Sequence, residues 1–191
     1  MMTRLGALLA LNAIVIFGQQ LGQPGSKLDR FSLQDLDGAP VTMETAGKFT
    51  ALVFIATQCP ISNDYNERMQ ALVNDYQARG ITFVFVNAND TEPAPEVRKH
   101  MQDNRFTFPV YKDLHNKLAD LLHAQVTPEV FLFDKTGTVV YHGAIDDSRN
   151  AAKITKRPLR DAFEAVLAGK EVPVKEHKAF GCTIKRAKKI S

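Results

Sequence analysis

Two residues of this 191-residue chain can do thiol chemistry, Cys59 and Cys182. Cys59 stands between an apolar run, FTALVFIA at 49–56, and a helix-like stretch that opens with Pro60. A thiol at a helix start meets unpaired N–H groups and the positive end of the helix dipole. Both favour the thiolate and lower its pKa from about 8.5 into a range of about 3.5–7.5. Thiolate is the nucleophile for disulfide exchange and for peroxide reduction alike. The competing reading is a small buried hydrophobe at a strand end, a common fate of free cysteine. No local dithiol is available, because Ala56 stands three residues before Cys59 and Ser62 three residues after it.

Cys182 lies 123 positions further on, in AFGCTIK at 179–185. A free tail thiol, a structural bridge and a redox partner for Cys59 are all open to it. A bridge would close a long loop, worth up to about 4–5 kcal/mol in the chain-entropy picture. His100, His115, His123, His142 and His177 show no metal-ligand spacing with one another, which leaves them surface or packing roles. Asp146 and Asp147 read as a solvated or capping pair, and Arg68 as a salt-bridge residue or a group that helps hold a thiolate.

These groups need a scaffold. FSLQDLDGAPVTM, 31–43, is two alternating runs around Asp37-Gly38, which predicts a β-hairpin. The run 49–56 has the continuous apolar character of a central strand covered on both faces. Pro60 suits a first helical position, and Ile61, Tyr65, Met69, Leu72, Val73 and Tyr76 form one helical stripe that Gly80 would stop. ITFVFVNA, 81–88, predicts a second buried strand, followed by the loop NDTEPAPE and a helix over about 96–104. A short helix is expected over 114–123, then two strands within VTPEVFLFDKTGTVVYHG turning at Thr136-Gly137. PLRDAFEAVLAG, 158–169, is a closing amphipathic helix. Strands alternating with helices predict an α/β domain with a mainly parallel sheet.

This element order, with cysteine at the first strand-to-helix junction, is that of a thioredoxin fold. The stretch from about 28 to 184 resembles the thioredoxin-like redoxin family, which includes alkyl hydroperoxide reductase, thiol-specific antioxidant and peroxiredoxin-like bacterial proteins. The residues that carry the resemblance are CPISNDY at 59–65, VTPEVFLFD at 126–134, YHGAIDD at 141–147 and GCTI at 181–184. The resemblance implies a central mixed sheet flanked by helices, with an N-terminal β-hairpin extension. It also implies a nucleophile at Cys59, a cis-proline segment at Thr127 and Pro128 facing it, and Cys182 as the resolving thiol, with no cofactor and no metal. Expected partners are protein thiols or disulfides, or small peroxides, with an external reductant such as a thioredoxin-type protein. The sequence departs from the peroxiredoxin pattern P-x-x-x-T-x-x-C, because Leu52 and Ala56 replace its proline and threonine. Thr57 and Ser62 are the nearest hydroxyls that could substitute.

Composition fits one globular domain, 45% hydrophobic and 24% charged, and a net charge of +3 does not point to nucleic acid. The N-terminus has the order of a secretory signal: Arg4, an apolar stretch from Leu5 to Gly18, then a polar Gln/Gly/Pro segment. The expected division is a signal peptide at 1–22, a redoxin domain at 28–170 and a basic, solvated tail with the second cysteine at 171–191. Export, to a periplasm, follows from that reading, with membrane attachment only if the first segment is retained. Two further functions compete with a thiol oxidoreductase. One is a copper-binding thioredoxin-fold protein, although its CxxxC is missing because Asn63 stands four residues after Cys59. The other is a redox-silent interaction module stapled by its two cysteines.

Overall fold

The structure is a computed structural model and describes residues 20–188. The apolar stretch expected to direct export therefore lies outside the described residues.

The chain opens with the anticipated hairpin, β1 (Arg30–Gln34) and β2 (Pro40–Glu44), paired antiparallel. Its turn is set by the Asp35 carboxylate, which accepts the N–H groups of Asp37 and Ala39 at 2.9 and 2.8 Å. Then follow β3 (Phe49–Ile55), α1 (Pro60–Asn63), α2 (Asn66–Tyr76), β4 (Ile81–Asn87), α3 (Ala94–Asp103) and β5 (Val110–Lys112). The second half contains α4 (Lys117–Leu121), β6 (Val126–Thr127), β7 (Glu129–Phe133), β8 (Val139–Gly143) and α5 (Pro158–Leu167). Two short strands end it, β9 (Glu176–His177) and β10 (Cys182–Thr183).

Eight strands form one sheet in the order β2-β1-β5-β4-β3-β7-β8-β9. Parallel pairing is confined to β3 with β4, β4 with β5, and β8 with β9. This corrects the mainly parallel expectation and gives the mixed sheet that the family resemblance implies. The physical reason is connection length. Helical crossovers join β3 to β4 and β4 to β5, whereas β7 reaches β8 through a tight turn in which Asp134 accepts N–H bonds from Thr136 and Thr138.

The continuous apolar run of β3 is explained by layers on both faces. Ala51, Val53 and Ile55 point to one cluster, with Met69, Leu72 and Tyr76 of α2 and Leu159 and Phe163 of α5. Leu52 and Phe54 point to the other, with Phe31 and Leu33 of the hairpin, Leu118 of α4 and Ile184 of the tail. Burying a side chain of this size contributes about 1.5–3 kcal/mol each, so the central strand is the main anchor of the site at its C-terminal end.

Two expectations are corrected here. The helix after Cys59 does not run unbroken to Gly80: Tyr65 N–H bonds to Ser62 O at 3.0 Å, and the chain turns at Asp64–Tyr65 between α1 and α2. The tail is not a solvated end either. β9 pairs with the end of β8, β10 pairs with β6, and Ile184 is buried.

The first of these tail contacts depends on Gly143, whose φ of +140° places its backbone against the carbonyl of His177 with no room for a Cβ. Gly143→Ala is expected to destabilise the fold by about 1–3 kcal/mol through strain and loss of β9 docking. Gly47→Ala, also at positive φ but in open space, should cost less than Gly143→Ala, about 1–2 kcal/mol from the backbone penalty alone. Denaturant unfolding of the two variants checks the difference.

Candidate active site

The end of β3 delivers the chain through Ala56, Thr57 and Gln58 to Cys59, which is the N-cap of α1 and only 3% exposed. The Ser62 N–H donates to Cys59 Sγ at 3.3 Å, and Asn63 N–H donates to the Cys59 carbonyl at 2.9 Å. The break after α1 limits the aligned peptide dipoles near the sulfur to one turn, so the direct Ser62 N–H contact is its main local stabilisation. The Thr127 carbonyl oxygen lies 3.6 Å from Sγ on another side. The Thr127-Pro128 peptide bond is cis.

Cys59 and Cys182 form a disulfide, with Cα atoms 5.8 Å apart. The structure thus brings together all four residues singled out in the sequence: Cys59, Cys182, Thr127 and Pro128. β10 lies antiparallel to β6 with Cys182 opposite Thr127. Gly181 makes this possible, because a Cβ there would collide with the Thr127 carbonyl. The tail is fixed on both sides of the bridge. Phe180 packs edge-on against Tyr65 with ring centroids 6.2 Å apart, and Ile184 N–H bonds to Gln125 O at 3.0 Å. Further on, Lys185 N–H donates to Asn89 Oδ1 at 2.8 Å and Arg186 pairs with Asp120 at 2.9 Å.

The loop before Cys59 is held by a group that the sequence reading missed. Glu92, 1% exposed, accepts the N–H groups of Thr57 and Gln58 at 2.8 and 3.1 Å, and the side-chain amides of Asn87 and Asn89 at 2.5 and 2.7 Å. Lys112 completes the cluster by donating to Asn87 Oδ1 at 2.5 Å and to the carbonyls of Asn89 and Glu92 at 2.9 and 2.6 Å. Burial pushes the Glu92 carboxyl up, but its four N–H donors together outweigh that and hold it below the ordinary glutamate value. Burial pushes the Lys112 ammonium down, against the pull of Glu92 and its acidic neighbours. Glu96 adds a second clamp, accepting the Thr57 hydroxyl at 2.7 Å and the Gln58 amide at 3.0 Å.

Neither hydroxyl considered as a substitute for the missing threonine is unengaged. The Thr57 hydroxyl donates to Glu96, and Ser62 Oγ accepts the Ala56 N–H at 3.1 Å. Arg68 does not serve the sulfur: it makes a two-oxygen contact with buried Asp146 at 2.8 and 3.0 Å and stacks over Tyr65. Tyr65 donates to the same carboxylate at 2.8 Å, and burial together with Asp146 pushes its phenol up, so it stays a donor. Asp146 thereby ties the 144–150 loop to α2, while Asp147 is held at about 2 by the Thr155 hydroxyl and the N–H groups of Lys156 and Thr155. Behind the cis-proline, Glu129 accepts the N–H groups of Gln125 and Val126 at 2.6 and 3.0 Å and faces His142 Nε2 at 2.7 Å. Among the described residues no three His, Cys, Asp or Glu side chains are grouped so as to hold a metal ion.

A cysteine at the first strand-to-helix junction, a cis-proline peptide against its sulfur and a mixed sheet between helical layers define a thioredoxin-like redoxin fold. The profile of the AhpC/TSA family matches residues 24–142, and the chain belongs to that family. It is 28% identical over 123 residues to the thiol-disulfide oxidoreductase ResA of Halalkalibacterium halodurans, covering 64% of this chain and 69% of that protein. Among solved structures it is similar to an uncharacterized conserved protein from Geobacillus kaustophilus, with a TM-score of 0.81 and 30% identity over 90% of this chain and 95% of the other. A hypothetical protein from Sinorhizobium meliloti matches with a TM-score of 0.77 and 30% identity, over 89% and 96% of the two chains.

The Glu92 cluster has a pH signature. A carboxyl held below its unfolded value of about 4.3 contributes stability that is fully present above that value and is lost as pH falls through the folded one. Glu92→Gln keeps one acceptor oxygen but turns an amide toward N–H donors, and is expected to cost about 1–3 kcal/mol at neutral pH. The gap between variant and parent should shrink in acid, read from denaturant unfolding at neutral and acidic pH.

Proposed function

We propose that this chain is a thiol-disulfide oxidoreductase that cycles Cys59 and Cys182 between bridge and dithiol. The observation that carries this reading is the bridge itself, formed between the cysteine that N-caps α1 and a strand that pairs beside the cis-proline segment. The activity named for the ResA relative supports it. In the reduced state the Cys59 thiolate, stabilised by the Ser62 N–H, attacks a protein disulfide and forms a mixed disulfide. Cys182 then attacks Cys59 Sγ, releases the reduced substrate and restores the bridge. An external dithiol, such as a thioredoxin-type protein, returns the two electrons.

Exchange is favoured over peroxide reduction by Ala56, which offers no hydroxyl, and by the engagement of Thr57 and Ser62 elsewhere. Cys59→Ser is expected to lower disulfide-reducing turnover by at least about 100-fold. Cys182→Ser should instead accumulate the mixed disulfide on Cys59, seen by non-reducing electrophoresis and mass spectrometry. Redox titration separates this reading from a permanent staple: a midpoint below about −300 mV would mark a bridge that the glutathione pool does not open, and would sink the proposal.

Export is part of the same proposal. It is supported by Arg4 followed by the apolar stretch 5–18, and no helix among the described residues is long and apolar enough to cross a membrane. Fusing residues 1–27 to a phosphatase that folds only outside the reducing cytoplasm should give an active reporter. Replacing Leu8 and Leu9 in the fusion with Arg should abolish that activity.

A further inference from the structure

Among the described residues three large hydrophobic side chains are exposed, and two of them bracket α4: Leu114 before it at 43% and Leu121 at its end at 39%. Lys117, one helical turn before Leu121, shares its exposed face. The tail borders the same element. Arg186 and Lys188 line a pocket of about 740 Å³ together with His115 and His123. Arg186 is paired with Asp120 at 2.9 Å, whereas Lys117 and Lys188 have no ion-pair partner among the described residues. Exposed leucine beside unpaired lysine matches a surface that rests on lipid, where leucine enters the acyl boundary and the ammonium stays at anionic headgroups.

The point at which the chain enters the fold decides what this face meets. Gly22 lies so close to the Leu122 carbonyl that a Cβ there would overlap its oxygen. The apolar stretch 5–18 therefore leads into the domain within a few residues of Leu121. That stretch is shorter than the roughly 20 residues that span a bilayer, so firm attachment calls for a second contact.

Resting on the export reading above, we propose that the face formed by Leu114, Lys117, Leu121 and the 186–188 end of the tail is a membrane-contact surface. It lies on an anionic lipid bilayer in which the stretch 5–18 is seated. Leu114 and Leu121 enter the boundary between headgroups and acyl chains, and Lys117 and Lys188 meet the headgroup phosphates. The stretch and the face are two weak signals on one chain, and their linkage makes the second contact intramolecular once the first has formed.

The test exploits the absence of tryptophan from the sequence, which lets a single introduced indole report its own depth. Leu121→Trp and Val174→Trp are made separately in the full chain. Val174, the third exposed hydrophobic at 51%, lines a pocket beside Pro158 of α5, in the layer across the sheet. Each variant is reconstituted with vesicles of phosphatidylcholine, alone or mixed with phosphatidylglycerol, carrying brominated acyl chains that quench indole. With phosphatidylglycerol, Leu121→Trp is expected to be quenched at least about threefold more than Val174→Trp. The difference should vanish on phosphatidylcholine alone, and also when Lys117→Glu and Lys188→Glu are added, since each basic residue near an anionic surface is worth about fivefold in partitioning. Equal quenching of the two variants, no quenching of Leu121→Trp on a chain that floats with the vesicles, or a difference that persists on phosphatidylcholine overturns the proposal and leaves the export reading standing. A chain that floats with neither vesicle overturns the attachment on which the proposal rests, and the phosphatase fusion decides export independently.

Discussion

The site rests on a close backbone approach between two segments far apart in the chain. Cys182 reaches Cys59 only because β10 lies against β6, and β10 can do so only because Gly181 leaves the Thr127 carbonyl uncrowded. That carbonyl oxygen also lies 3.6 Å from the Cys59 sulfur. One peptide, the residue before the cis-proline, therefore positions both cysteines. Glu129 in turn fixes the approach to that peptide by accepting the N–H groups of Gln125 and Val126.

On the other side of the sulfur, the loop 56–58 is unusual in being held by charge. A buried carboxylate is expensive unless hydrogen bonds replace its lost hydration, and Glu92 receives four N–H donors. Two of those donors are the backbone amides just before Cys59. The loop is thus rigid for the same reason the charge is tolerated, since neither group is satisfied without the other. Lys112 extends the arrangement into β5 and links the loop to the central sheet.

Much of the scaffold was legible because it is written in local patterns. The continuous apolar runs of β3 and β4, the Asp37-Gly38 hairpin and the stripe of α5 each depend on residues within one element. The break between α1 and α2 was not, since Ile61, Tyr65 and Met69 keep the same spacing whether the helix runs through or turns. Glu92 was hidden in a loop of polar residues and prolines, where a carboxylate looks solvated; its burial is decided by Thr57 and Gln58, about 35 positions away. The tail misled for a similar reason. Its lysines and arginine read as a solvated end, while the few residues that dock it, Phe180, Gly181 and Ile184, have partners elsewhere in the fold.

The 123-position separation of the cysteines also orders events in time. A chain is made from its N-terminus at about 5–20 residues per second, so Cys182 follows Cys59 by on the order of ten seconds. During that interval β3 and the Cys59 loop exist without the strand that completes them, and the thiol has no partner within its own chain. The bridge is consequently a late mark of maturation, formed only after the whole domain between the two cysteines has been synthesised and the last strand has docked.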